Sequence, residues 1–228
     1  MAGVSLMTHQ TEVLEAALPA SITARPARAW VAIRRLGPRH APRVLAHLLA
    51  LNERDRLLRF GQAATDDQIR GYVARIDFGR DELFGIFGRR LQLLAMAHLA
   101  LDPAADGPGT VVEFGVSVLE RARGRGYGGR LFDHAVTHAR NRGADTMILH
   151  ISRDNPAMLG IVRRAGAELA FDGDEAVAQM PLPRTTLGSR IEELVGHRAA
   201  EIDYCFKMHA LRLDRLRPGR PAGPANGD

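Results

Sequence analysis

The middle of the chain contains a strand-to-helix junction that is rich in arginine and glycine and reads Arg121-Ala122-Arg123-Gly124-Arg125-Gly126-Tyr127-Gly128-Gly129-Arg130. Apolar residues at helical spacing follow it, and an apolar, strand-like run, 110–118, precedes it. The first turn of a helix has backbone N–H groups without intrahelical partners and carries about half a positive charge. Glycines let such a backbone approach a ligand closely, and arginines form forked hydrogen bonds with phosphate oxygens. The junction therefore predicts a binding site for a phosphate or pyrophosphate group.

Two kinds of phosphate loop fit this segment. Gly124-x-Gly126-x-x-Gly129 matches the dinucleotide-binding pattern, with Asp154 downstream at a distance suited to a ribose. In that fold, however, the first glycine follows the strand almost directly, and too little chain follows residue 166 to complete a doubly wound sheet. The second pattern is Arg123-x-x-Gly126-x-Gly128, with Glu113 on the strand before it and Asn155 opening a helix after the next strand. This second pattern accounts for more of the residues.

The second pattern resembles the GNAT N-acetyltransferase superfamily, over about residues 29 to 181. The resemblance implies an α/β (α+β) fold with a mixed, mostly antiparallel central sheet of about seven strands flanked by helices. A parallel strand pair in that fold opens the acyl-CoA groove. The implied activity is acetyl-CoA-dependent transfer of an acetyl group to a primary amine, which attacks the thioester directly. Acetyl-CoA would be a co-substrate, and no metal is expected.

The resemblance also assigns the residues that contact acetyl-CoA. The backbone of Val116, Ser117 and Val118 pairs with the pantetheine arm, and one N–H there faces the thioester oxygen. A single oxyanion donor of this kind is worth about 3 to 4 kcal/mol. Asn155 orients the pantetheine or caps its helix. The pyrophosphate lies against the loop residues Arg123, Gly124, Arg125, Gly126, Tyr127, Gly128, Gly129 and Arg130.

Two residues are candidates for the catalytic base. Glu113 occupies the position where many family members place a carboxylate that accepts the amine proton, and a base is useful because a primary amine has a pKa of about 10.4. A hairpin turn centred near residue 105 or 106 would put His98 opposite Glu113, where the pair could share that task; a structural role for His98 fits equally well. The tyrosine that the family uses as general acid is absent, because Val162 stands at its position.

The periodicity of the chain predicts the order of its elements. Residues 29–36 form a first strand, a helix begins at Pro38, and 53–61 continue as a helical or irregular segment. Thr65-x-x-Gln68 is a capping box that opens the next helix. The later predictions are strands at 83–87, 91–101, 110–118, 146–152, 168–171 and 176–180. One helix follows the arginine- and glycine-rich loop and ends at Arg142, and another starts at Asn155-Pro156.

Four regions follow from these patterns. Residues 1–27 are expected to be a mobile arm, 28–182 the acetyltransferase domain, 183–217 a helical extension, and 218–228 a disordered tail. A second capping box, Ser189-x-x-Glu192, opens the extension. Its long helix is expected to wrap the domain or to pair with a second copy, which would give a homodimer.

Composition narrows the classes of function. With 228 residues and 46% hydrophobic residues, the chain builds one good-sized core. Its +5 charge is spread along the chain and aromatic residues are only 5%, so no nucleic-acid partner is expected. Cys205 is the only cysteine, which suggests a reducing, cytoplasmic setting, and no apolar run is long enough to cross a membrane.

The acceptor is left open between a small amine and a protein lysine. The alternative function is an acyl-CoA-binding sensor or interaction domain, catalytically weak or silent, on the same fold. The absence of the tyrosine at Val162 and the long terminal helix are the features that favour this alternative.

Overall fold

A computed structural model describes residues 30–101 and 110–183, together with Ala200, Glu201, Asp203, Tyr204 and Lys207 of a later helix. The predicted N-terminal arm, the turn before residue 110, the second capping box and the tail lie outside the described residues.

Seven strands form a single mixed sheet in the order β1-β2-β3-β4-β5-β7-β6. Every neighbouring pair is antiparallel except β4 and β5, which are parallel. This topology confirms the expected GNAT-like fold and differs from the doubly wound parallel sheet of the dinucleotide alternative. The strands are β1 Arg34–Leu36, β2 Glu82–Phe87, β3 Leu93–Leu101, β4 Val111–Val118, β5 Thr146–Ser152, β6 Glu168–Asp172 and β7 Glu175–Pro181.

Five α-helices flank the sheet in the described residues: α1 Ala41–Leu49, α2 Glu53–Phe60, α3 Asp66–Ala74, α4 Tyr127–Asn141 and α5 Pro156–Arg164. The capping box of α3 forms as predicted, with Thr65 Oγ1 accepting from the Gln68 N–H at 3.3 Å and Gln68 Oε1 accepting from the Thr65 N–H at 2.8 Å. Asn155 Oδ1 accepts from the Met158 N–H at 3.1 Å and caps α5.

Each face of the sheet has its own apolar core. The face that carries α4 and α5 buries Phe84, Leu131, Phe132 and Met147, together with Val162 at 0% exposure. The side chain at position 162 is therefore a core residue. The opposite face, which carries α1 and α3, buries residues that include Val44, Leu48, Ile69, Leu83 and Met96.

Two strands are shorter than predicted. β1 covers Arg34–Leu36, and β3 begins at Leu93. Leu91 adopts a left-handed conformation with φ of 55° in the turn between β2 and β3, and the Gly88 N–H donates to the Gln92 carbonyl at 2.9 Å. Leu91 and Gln92, which the hydrophobic pattern assigned to the strand, therefore belong to the tight turn.

The described residues of the later helix contact the domain at β1 and β2. Glu201 forms an ion pair with the buried Arg34 at 2.7 Å, whose guanidinium lies 3.8 Å from the centre of the Tyr204 ring. Lys207 Nζ donates to the Phe87 carbonyl at 3.2 Å. These described residues of the predicted extension therefore pack on the domain. Among the helices of the described residues, none has the length and apolarity needed to cross a membrane.

Candidate functional site

The parallel strands separate partway along their length. β4 and β5 are paired at only three positions, of which Glu113 with Ile148 is the last. β4 then continues to Val118 and β5 to Ser152 without further pairing between them, and a groove of about 720 Å³ opens there. Backbone N–H and C=O groups on an unpaired strand edge can pair with an extended ligand as another strand would. The lining includes Arg59, Tyr72, Glu113, Gly115, Val116, Ile151, Ser152 and Asn155.

The arginine- and glycine-rich loop connects β4 to the first turn of α4. Gly124 and Gly126 adopt left-handed conformations, with φ of 75° and 72°, and Gly126 is the N-cap residue of α4. Glycine adopts this conformation without steric cost. No side chain caps the helix and no acidic residue lies in its first turn. The N-terminal N–H groups of α4 thus keep the positive end of the helix dipole without a carboxylate partner, which suits an anion.

The arginines of the loop differ in their surroundings. Arg123 forms an ion pair with Asp55, a carboxylate on α2 with 8% side-chain exposure. Its side chain therefore ties the loop to α2, while its backbone stays in the loop. Arg125 is exposed, and Arg130 lies in the first turn of α4 with a buried Nε that has no hydrogen-bond partner among the described residues.

Ser117 is held by a buried histidine. His47 Nδ1 lies 2.9 Å from the Leu93 carbonyl, and His47 Nε2 lies 2.8 Å from Ser117 Oγ. Because a carbonyl only accepts, Nδ1 carries the hydrogen and Nε2 accepts from the Ser117 hydroxyl. Burial lowers the pKa of His47 to about 4, so the ring is neutral at pH 7. The Ser117 side chain is thus engaged away from the groove, while Val116 lines it.

The register of β3 and β4 corrects one expectation. His98 lies opposite Gly115, and Glu113 lies opposite Ala100. The hairpin is centred later than residue 105 or 106, so the direct His98–Glu113 pair is wrong. Both residues still point to the face that carries α1 and α3, as diagonal neighbours whose separation is typically about 7 to 8 Å. Glu113 is exposed in the groove, whereas His98 is 8% exposed.

His98 lies at the centre of a polar chain that the sequence did not predict. Its Nδ1 is 2.5 Å from Tyr72 Oη, and its Nε2 is 3.1 Å from Asp81 Oδ2. Arg59 donates from a terminal nitrogen to Tyr72 Oη at 2.7 Å. Burial lowers the pKa of His98, and the Arg59 charge lowers it further, against opposing effects of Asp81 and Glu113. The histidine is therefore neutral at pH 7.

Arg59 approaches the floor of the groove closely. A Cβ on Gly115 would lie 2.7 Å from the Arg59 Cζ and 2.8 and 2.9 Å from its terminal nitrogens. The absence of a side chain at residue 115 therefore allows the guanidinium to lie over β4 beside Tyr72. In the sequence, Tyr72 follows Ile69 at helical spacing, so hydrophobic periodicity treats it as an apolar residue and gives no sign of its hydroxyl contacts. No local pattern links residues 59, 72, 81 and 98, because tertiary packing brings them together.

Comparison with known proteins gives a consistent result. The profile described as the acetyltransferase (GNAT) family matches residues 29–167. No curated protein matches the sequence.

Among solved structures, the chain is similar to the GNAT domain of S. lividans PAT, with a TM-score of 0.56 and 18% identity over 66% of this chain and 89% of that one. It is also similar to spermidine N-acetyltransferase from Vibrio cholerae, solved with CoA and spermine, with a TM-score of 0.52 and 15% identity over 67% and 95%. A third similar structure is an N-acetyltransferase from Staphylococcus aureus Mu50, with a TM-score of 0.50 and 17% identity over 66% of this chain and 97% of that one.

Proposed function

The chain belongs to the GNAT acetyltransferase family, and on that premise we propose that it transfers the acetyl group of acetyl-CoA to a primary amine by direct attack on the thioester. The observation that carries the proposal is the meeting of two features. A groove opens where β4 and β5 separate. The first turn of α4, which has no side-chain cap and no acidic residue, lies against the end of β4, since a Cβ on Gly128 would be 3.8 Å from Val118 Cγ2. The pantetheine arm would lie along β4 in the groove, and the pyrophosphate would lie at the first turn of α4, near the end of the same strand.

The cofactor contacts follow from these two features. The β4 backbone at Val116, Ser117 and Val118 pairs with the pantetheine arm, and an N–H on this strand donates to the thioester oxygen as negative charge develops on it. The first-turn N–H groups of α4 and the backbone of Gly124, Gly126, Gly128 and Gly129 hold the pyrophosphate. Arg125 and Arg130 add positive charge, and Asn155 holds the start of α5 against the groove.

Glu113 is the proposed base for the incoming ammonium. Its exposed side chain stands at the last rung before the strands separate, so it faces the groove where the thioester would lie. Removing the ammonium proton is required because only the neutral amine has a lone pair for attack. His98 does not contact the amine directly, because it is buried behind Tyr72.

The leaving thiolate has no tyrosine at position 162, where a core valine is packed. A thiol with a pKa of about 8.5 is a good leaving group without full protonation, so the reaction does not depend on a dedicated acid at that residue. The similar structures include one that was solved with CoA and spermine. Small amines and protein lysines are both suitable acceptor classes for this groove.

The test is a transfer assay on the full chain. Acetyl-CoA labelled in the acetyl group is incubated with a panel of polyamines, amino acids, amino sugars and lysine peptides. Released CoA and the acetylated amine are measured together. The proposal predicts label on an amine nitrogen in equal amount to free CoA. Saturable acetyl-CoA binding with no acceptor-dependent CoA release across the panel would instead support the sensor alternative.

A further inference from the structure

Tyr72 separates His98 from the groove. The tyrosine is half-buried on α3, it lines the groove, and its hydroxyl is 2.5 Å from His98 Nδ1. The histidine ring itself is 8% exposed and is covered by the tyrosine ring, with the two ring centres 5.8 Å apart. Any proton that passes between the groove and His98 along this contact therefore passes through the Tyr72 hydroxyl.

Chemistry fixes the direction of the hydrogen bonds. Arg59 can only donate, so it gives a hydrogen to Tyr72 Oη at 2.7 Å. The Asp81 carboxylate, 3.1 Å from His98 Nε2, favours the tautomer with hydrogen on Nε2. Nδ1 of the neutral ring is then an acceptor, and the Tyr72 hydroxyl donates to it. One lone pair on Tyr72 Oη stays available to accept a hydrogen.

We propose that Tyr72 is a catalytic residue that takes the amine proton as the new N–C bond forms, while its own proton moves to His98 Nδ1. Asp81 and Arg59 are positioning residues in this arrangement, the first for the His98 ring and the second for the Tyr72 hydroxyl. This inference rests on the proposed acetyl transfer. It gives His98 a role that does not require contact with the substrate.

The protons balance in three steps. Glu113 takes the first proton from the ammonium and later passes it to solvent, so that one proton is released overall. When the neutral amine attacks the thioester carbon, its nitrogen becomes cationic and gives its second proton to Tyr72 Oη, and His98 becomes an imidazolium beside Asp81. The C–S bond then breaks, and the His98 proton returns through Tyr72 to the thiolate sulfur. The products are the amide and the CoA thiol.

Three charged groups and one neutral group act on His98, each from a different part of the fold. Arg59 on α2 disfavours the imidazolium, whereas Asp81 before β2 and Glu113 on β4 favour it. The phenol of Tyr72 on α3 is the neutral contact. A histidine that is neutral at rest and faces a carboxylate is suited to holding a proton briefly, since it both accepts the proton and gives it up.

The experiment compares Tyr72→Phe with Tyr204→Phe, which removes a phenol outside the groove. We expect Tyr72→Phe to lower kcat by about 10²- to 10⁴-fold, the range of general acid–base catalysis, with acetyl-CoA affinity unchanged. Tyr204→Phe should keep wild-type kcat. His98→Gln, whose amide oxygen can still accept from Tyr72, should lose activity to a similar extent. Because a protonated His98 cannot accept the Tyr72 proton, wild-type kcat should fall as the pH drops below the pKa of His98, and this fall should be absent in His98→Gln.

Three outcomes separate this inference from the proposed function. A folded Tyr72→Phe protein with kcat within about twofold of wild type overturns the role of Tyr72 while the transferase function stands. The same fall in kcat at low pH in His98→Gln overturns the role of His98 in the same way. A wild-type protein that binds acetyl-CoA but acetylates no amine overturns the transferase function, and the Tyr72 proposal with it.

Discussion

Glu113 and Ile148 form the last rung of the parallel pair, and the two strands diverge immediately beyond them. The position of this rung sets both the start of the groove and the place of the carboxylate. In the proposed complex, the Glu113 carboxylate is the base that meets an amine as it approaches a thioester bound along β4.

Replacing Glu113 with glutamine tests that relationship. Glu113→Gln keeps the size of the side chain but removes the proton acceptor, so kcat/KM at pH 7 should fall by about 10²- to 10⁴-fold. The deficit should shrink as pH rises toward the pKa of the amine, because hydroxide and solvent then supply the neutral amine. Rates measured from pH 6 to 10 check this. Glu168→Gln, an exposed residue on β6, is the control; equal losses in both variants would contradict the assignment.

The helix N-terminus predicts a charge-selective effect on cofactor binding. A Cβ on Gly128 would make only ordinary contacts, at 3.8 Å, with Ile161 and Val118. Gly128→Asp should therefore fold normally, since an acidic side chain also suits a first helical turn. Its carboxylate would occupy the anion site and weaken acetyl-CoA binding strongly, and more than Gly128→Asn does. The difference between the two variants should narrow at high salt. Equal affinities of Asp and Asn at low salt would argue against a pyrophosphate at this helix.

Gly115→Ala separates activity from stability. The new methyl group would displace the Arg59 guanidinium, which is the mobile end of a long side chain, and break its bond to Tyr72. The lost hydrogen bond costs about 1 kcal/mol, and alanine in place of glycine within a strand returns about 0.5 to 1 kcal/mol, so the unfolding free energy should barely change. If Arg59 positions Tyr72, kcat should fall by roughly tenfold. Gly37→Ala is the matched control, because a Cβ on Gly37 would have no atom within 4 Å. Equal kcat values in the two variants would show that Arg59 does not position Tyr72.

Acid stability should depend on Glu82. Burial alone would raise the pKa of this carboxyl, but hydrogen bonds from His138 and Arg142 and the charges of His138 and Arg35 lower it from 4.5 to about 2. A depressed carboxyl pKa gives stability that is present above the unfolded value and is lost as pH falls from about 4.5 toward 2. The unfolding free energy of the wild type, measured with denaturant at several pH values in this window, should fall with pH. The fall should be smaller in Glu82→Gln, which has no carboxyl group to titrate at this position. The same pH dependence of stability in the wild type and in Glu82→Gln would contradict the ion pairs assigned to the buried Glu82 carboxylate.

Local chemistry in the sequence was sufficient for most of the elements. Thr65 and Gln68 formed their capping box, a helix followed the arginine- and glycine-rich loop, and the strands appeared in the predicted order along the chain. These features depend on residues within a few positions of each other, which propensity and periodicity describe well.

The site was less predictable because it depends on register and packing. The position of His98 opposite Gly115 follows from the hairpin turn, and a shift of the turn centre by one residue moves the cross-strand partner by two. Arg59 and Tyr72 come from separate helices, and they meet His98 only when α2 and α3 pack over β3 and β4. Local motifs gave no sign that the side chains of Arg59, Tyr72 and Asp81 form a polar chain with His98.

Acetyl-CoA binding is the first measurement to make, because the proposed groove and phosphate site both depend on it. We would titrate acetyl-CoA into the full chain by calorimetry at low and high salt. Binding should be micromolar and one-to-one, and it should weaken at high salt because salt screens the attraction between the pyrophosphate and the α4 loop. Binding of the same strength at both salt concentrations would contradict the phosphate site, and no binding by the folded protein would contradict the assignment as an acyl-CoA-dependent transferase.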